Sequence, residues 1–173
     1  MPRPAATALS VSQVVLRILI VFNWVYGAII LAILVGMLTA ERWMLTALGV
    51  PPSPESGPLI QGMRTIAALG LVGVPLNFIV FSRLLAMVNT VSAGDPFVAQ
   101  NAARLQTISW AILGLQLLQL AIGTIARSVW TPAHPLHISA FSMGGWLAVV
   151  LLFVLARVFG EGTRMRDDLQ GTV

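Results

Sequence analysis

The chain reads as an all-α integral membrane four-helix bundle with both termini in the cytoplasm and a cytoplasmic helical hairpin extending spans two and three. Three observations predict this class. Four stretches, 18–40, 65–82, 105–126 and 128–156, contain no Asp, Glu, Lys or Arg, and a helix crosses the hydrocarbon core with about 20 apolar residues. Only 9% of the 173 residues are charged and 57% are hydrophobic, whereas a soluble domain carries charge on about a quarter of its residues. All ten basic residues are arginines, most of them at the ends of the apolar runs, which is the membrane pattern.

Arginine placement also sets the expected orientation. With the N-terminus inside, Arg3, Arg17, Arg83, Arg104, Arg157, Arg164 and Arg166 fall on the cytoplasmic side, and Arg42, Arg64 and Arg127 fall outside. The positive-inside rule favours that arrangement. The connections are too short for a second core, so residues 1–173 are expected to form one membrane domain.

Span one is expected over about residues 14–38. Its apolar run exceeds the 7–15 residues of a signal-peptide core, so it reads as a retained span. The outer connection then places Trp43, Met44, Ala47 and Leu48 at the spacing of a short helix on the headgroup surface. Pro51, Pro52, Pro54 and Pro58 follow and favour an extended path. Span two, about 59–82, carries Pro75 near its centre, which removes a backbone hydrogen bond and favours a kink.

Beyond Arg83 the apolar helical pattern continues through Leu84, Leu85, Met87, Val88 and Val91 and breaks at Ser92-Ala93-Gly94. Asp95-Pro96 reads as an N-cap followed by Pro at the first helical position. The third helix is thus expected to start near Pro96, well before span three at about 105–127, so the turn projects into the cytoplasm. Span four is expected over about 138–156. The tail, 157–173, continues as a helix leaving the membrane and fraying near Gly171.

The polar side chains expected within the spans are few. Asn23 and Asn77 lie six residues inside Arg17 and Arg83, about 9 Å inward, and an Asn–Asn or Asn–backbone bond between spans one and two is worth about 0.6–2 kcal/mol. Gln116 and Gln119 lie deeper in span three and can line a small polar pocket with Ser139 or Ser142. Packing glue is the first reading of these amides and a ligand site the second. Small residues at every fourth position, Ala28, Ala32 and Gly36 in span one and Ala140, Gly144 and Ala148 in span four, are expected to close the bundle, with homodimerisation as the alternative.

Several chemistries find no support in the pattern. There is no Cys, which excludes disulfides and thiolate sites. His134 and His137 share an expected outer loop with Pro135, and Glu41 or Glu55 would have to complete any metal set, so no metal is expected. No His lies within a span to hold a haem. Asp95, Asp167 and Asp168 fall on the opposite side from both His, so no triad can assemble. The chain is not expected to be an enzyme, to hold a cofactor, or to contact nucleic acid directly.

Three stretches carry a family resemblance. They are Gly94-Asp95-Pro96-Phe97 with Asn101 and Arg104-Leu105, then Trp110-Ala111-Ile112-Leu113, then Phe159-Gly160-Glu161-Gly162 with Asp167-Asp168-Leu169 and Thr172-Val173. On these the chain resembles the bacterial membrane family catalogued as domain of unknown function 2975. The resemblance implies a small four-span inner-membrane protein, often encoded beside a short helix-turn-helix regulator of the Cro/repressor type. It implies no activity for any residue, and the Gln170-Gly171 insertion before Thr172-Val173 departs from the expected ending.

The resulting expectation is a regulatory or sensory protein binding a cytoplasmic helix-turn-helix regulator. Its surface would combine Asp95, Pro96, Phe97, Asn101 and Arg104 with Arg164, Arg166, Asp167, Asp168 and Leu169. Phe97 and Leu169 would supply apolar anchors and the charges orientation. The alternative is small-molecule or lipid binding or transport through a cavity lined by Gln116, Gln119 and the span-four serines, although no ionisable group within the spans offers proton coupling.

Overall fold

A computed structural model describes residues 4–47, 57–93, 98–129 and 141–170, all but short connections of which are helical. The helices are α1 (Pro4–Thr39), α2 (Glu41–Ala47), α3 (Gly57–Ser92), α4 (Ala99–Val129) and α5 (Met143–Gln170). Four of the five are long and apolar enough to cross a membrane. Their apolar side chains point largely outward: Phe22 is 65% exposed, Val21 62%, and Val150 and Leu151 58% each. An apolar surface running along α1 and α5, with Val72 and Phe78 of α3 and Trp110, Leu117 and Leu120 of α4 also exposed, is tolerable only against lipid.

α2 is the short helix expected after span one, and Trp43 on it is exposed. α3 opens with Pro58 in its first turn, where a missing N–H costs nothing, and runs on through Pro75. α4 begins at Ala99 rather than near Pro96; the Asn101 N–H closes its first turn on the Val98 carbonyl at 2.8 Å. α5 begins at Met143, five residues after the expected start. Ser142 caps it, its Oγ accepting from the Gly145 N–H at 3.2 Å, an arrangement that satisfies one of the orphan donors of a helix start. The expected tail is continuous with α5 as far as Gln170.

The long helices pack antiparallel in chain order: α1 on α3, α3 on α4, α4 on α5, with α2 folded against α1. Among the described residues the backbone of α1 approaches neither α4 nor α5. The helices therefore stand in a row, and the expected closure of the bundle through small-residue stripes is not what they do. Ala28 and Ala32 are exposed, and a Cβ on Gly144 would meet nothing. The close approaches lie one position away. Gly27 faces the Val74 side chain, with 3.0 Å left for a Cβ, and Gly145 faces the Gln116 carboxamide. One residue is 100° around a helix, so Ala28, Ala32 and Gly144 lie off these interfaces, while Gly36 is closely covered by the Met44 side chain of α2 and not by another long helix.

The core lies between α3, α4 and α5, where Val80, Ile108 and Ala111 are buried beneath Leu84, Met87, Leu115 and Leu152. Aromatic pairs flank it, Trp24 on Phe78 at 5.7 Å between centroids and Trp110 edge-on to Phe153 at 5.1 Å. Hydroxyls within the helices bond back to carbonyls of their own helix, as Ser109 does to Leu105 at 2.8 Å and Thr65 to Gln61 at 2.8 Å. Such bonds hide polar groups from lipid.

Gly145→Ala places a methyl group where the Gln116 carboxamide sits. The carboxamide is the far end of a flexible side chain and can swing aside, so thermal stability in detergent is expected to fall by no more than about 1 kcal/mol, and Gln116→Ala in the same chain to restore most of the loss; additive losses would show that the two do not meet.

Candidate functional site

Hydrogen bonds between neighbouring helices fix their register. The Asn23 Nδ2 donates to the Val74 carbonyl at 3.0 Å, joining α1 to α3 beside Pro75. This is the Asn–backbone form of the expected bond between spans one and two. Asn77 instead donates to the Gly73 carbonyl of its own helix at 3.1 Å. The two amides thus serve successive carbonyls just before Pro75, whereas the carbonyl that Pro75 deprives of its backbone donor is that of Leu71, one turn earlier. Gln116 is half-buried against Gly145, Gln119 is half-buried on α4, and Ser142 caps α5. Ser139 lies outside the described residues.

A second set of bonds joins the helices near both termini. Gln13 Nε2 on α1 donates to Asn89 Oδ1 at 3.1 Å and Ser92 Oγ at 3.2 Å on α3. Asn101, 1% exposed, donates through Nδ2 to Thr90 Oγ1 at 2.9 Å, and the Thr90 hydroxyl donates to the Met87 carbonyl at 2.7 Å. Arg104 closes the clasp, donating to Asn101 Oδ1 at 2.8 Å, to the Ala86 carbonyl at 3.2 Å and to Gln100 Oε1 at 3.2 Å. The α3–α4 turn is thereby held by a fully bonded polar network, the kind that specifies one geometry.

Carried across the row, these contacts put Arg17, Arg83, Arg104 and Arg157 at one level, within about one helical turn of each other. Arg64 and Arg127 mark the other end of the row. Arg64 and Arg83 are nineteen residues apart on α3, about 28 Å, which matches a hydrocarbon core of about 30 Å. At the far end Arg64 donates to the Met37 carbonyl at 2.6 Å and pairs with Glu41 at 2.7 Å. One guanidinium thus meets the carbonyl end of α1 and an acid in the first turn of α2, both favoured by the helix dipoles.

Past the arginine band the helices continue. α1 begins thirteen residues before Arg17, α3 ends nine after Arg83, and α5 runs thirteen beyond Arg157. The result is a helical platform about 13–20 Å deep at the end bearing both termini. Of the residues expected on a partner surface, Asn101 is beneath it, Arg104 is half-buried in the clasp, and Arg164 is exposed on α5 next to the buried Thr163. Arg166, Asp167, Asp168 and Leu169 belong to the last turns of α5. Asp95, Pro96 and Phe97, like His134 and His137, lie outside the described residues. Gln13, Asn89, Thr90, Ser92 and Gln100 were not singled out from the sequence. Their signal is a cluster of amides and hydroxyls on both sides of a turn, at positions a lipid-facing helix would fill with apolar residues. Among the described residues no group of three His, Asp or Glu could hold a metal ion.

Asn101→Leu removes the clasp's central acceptor and donor and leaves Thr90 and Arg104 short of partners. Faster amide hydrogen exchange is expected across 86–106, with α1 and α5 unchanged; unchanged exchange in that segment would mean that the clasp contributes nothing.

The chain belongs to the family described as "protein of unknown function (DUF2975)", whose model matches residues 40–173. No curated protein and no solved structure matches it.

Proposed function

We propose that this DUF2975 protein is a regulatory or sensory protein of the bacterial inner membrane that holds a cytoplasmic helix-turn-helix transcription regulator on its helical platform. The observation that carries the reading is the platform itself. Helices that needed only to span a bilayer would end near the arginine band, yet α1, α3 and α5 run nine to thirteen residues further, and there α1 is tied to α3 by Gln13 and Asn89 and α3 to α4 by Thr90, Asn101 and Arg104. The arginine excess at that end favours the cytoplasmic side for it, where a DNA-binding partner would be found. The exposed Arg164 and the Arg166, Asp167 and Asp168 run on α5 offer charge of both signs for orientation.

Solute binding or transport between the helices draws less support. Gln116 fills the space over Gly145, and Ser142 is committed to the start of α5. Both groups act in packing.

The test is purification of the tagged full chain from its native membranes, with mass spectrometry of co-purifying proteins. Arg164→Glu and a chain ending after Met165 serve as comparisons; both keep the buried Thr163. A helix-turn-helix regulator is expected with the intact chain and at least about tenfold less of it with either variant, as for loss of a charged contact worth about 1.4 kcal/mol or more. Absence of any such regulator, or equal recovery with both variants, contradicts the reading.

A further inference from the structure

Two shallow grooves touch the arginine band among the described residues, and the one beside Arg17 is otherwise lined by Ile18, Val21, Phe22 and Val25, all apolar. The other, a groove of about 310 Å³ on the flank of the α3–α4 interface, is lined by Arg83, Gln100, Ala103, Arg104 and Thr107. Its size is at the lower limit for small-ligand sites, suited to a headgroup rather than a larger molecule. We infer that this groove binds the phosphate of an anionic phospholipid headgroup.

The charge balance leads there. Arg83 is exposed and has no acidic partner among the described residues. Arg104 is held by three acceptors, the Asn101 and Gln100 side-chain oxygens and the Ala86 carbonyl, and all three are neutral. Among the described residues no acid compensates its charge, and two of its five N–H groups are not used by these three bonds. Gln100 accepts from Arg104 through Oε1, which leaves its amide N–H groups for a further acceptor. Guanidinium forks and amide donors converging from two helices suit a phosphate diester.

The depth of the site selects the source of the phosphate. Arg83 and Arg104 stand at the boundary level set by Arg17 and Arg157, with the apolar surface of the spans beginning directly beside them. Acyl chains can lie along that surface while the headgroup enters the groove, whereas free phosphate gains nothing from it. Basic pockets between spanning helices at this depth are the usual form of a specific headgroup site. Arg104 arrives pre-oriented by the clasp, so little side-chain entropy is lost on binding.

The full chain, purified in a neutral detergent, is to be mixed with equal amounts of phosphatidylglycerol and phosphatidylcholine and the retained lipids counted by native mass spectrometry. Phosphatidylglycerol is expected in preference, with about fivefold less retained by Arg83→Gln, the loss of one arginine contact at a membrane surface. Arg127→Gln, at the other end of the row, should retain as much as the parent chain. Equal retention of the two lipids, an unchanged Arg83→Gln, or an equal loss with Arg127→Gln would overturn the inference. So would displacement of the lipid by millimolar inorganic phosphate, since the groove would then be a plain anion site.

Discussion

Lipid offers a protein no hydrogen-bond partner, and most of this structure follows from that constraint. Backbone groups in the membrane must be satisfied within each helix, and charges must leave the apolar interval or find partners. Arginines accordingly stand at both ends of it, nineteen residues apart on α3. Between them the polar side chains are spent on carbonyls: Ser109 on Leu105, Thr65 on Gln61, Asn77 on Gly73 and Asn23 on Val74. Pro75 removes one backbone donor within α3, and the amide that crosses over from α1 serves the carbonyl of the neighbouring Val74.

The two ends of the row solve different problems. At the α1–α2 corner a single side chain, Arg64, joins α1, α2 and α3 and is neutralised by Glu41. At the other end the network is built of neutral amides and hydroxyls around Asn101, and the arginines beside it keep their charge. Arg64 is thus neutralised where it stands, whereas Arg83 and Arg104 have no acidic partner among the described residues. An end that is helical beyond the lipid boundary and bears arginines without acidic partners among the described residues is suited to meet phosphates and a soluble partner.

The spans were legible because a soluble fold does not sustain charge-free runs of twenty residues four times over, and α2 because its apolar residues recur at helical spacing within a polar connection. The contact between Asn23 and α3 was legible from depth alone. Neighbour relations were not. The Ala28, Ala32 and Gly36 stripe satisfies the spacing for close packing as well as Gly27 does, and only the face that carries Asn23 decides between them. The roles of Arg64 and Gln13 were hidden for another reason: long side chains reach across to a helix whose register the sequence does not state. Asn101 stood out as a surface residue because it follows a turn, yet its amide has partners on both helices and lies beneath the surface. The Asp95-Pro96-Phe97 and His134 to His137 segments fall outside the described residues, so the structure neither meets nor corrects what is expected of them.

A cytoplasmic role for the platform requires that the end bearing both termini face the cytoplasm. Because the chain has no Cys, single substitutions can report it cleanly. Ala93→Cys, at the α3–α4 turn, and Trp43→Cys, exposed on α2, should be treated in intact cells with a membrane-impermeant thiol reagent, and again after lysis. The predicted result is labelling of the Trp43→Cys chain in intact cells and of the Ala93→Cys chain only after lysis. The reverse pattern would put the platform and the arginine band on the outer side and remove the basis for a cytoplasmic partner.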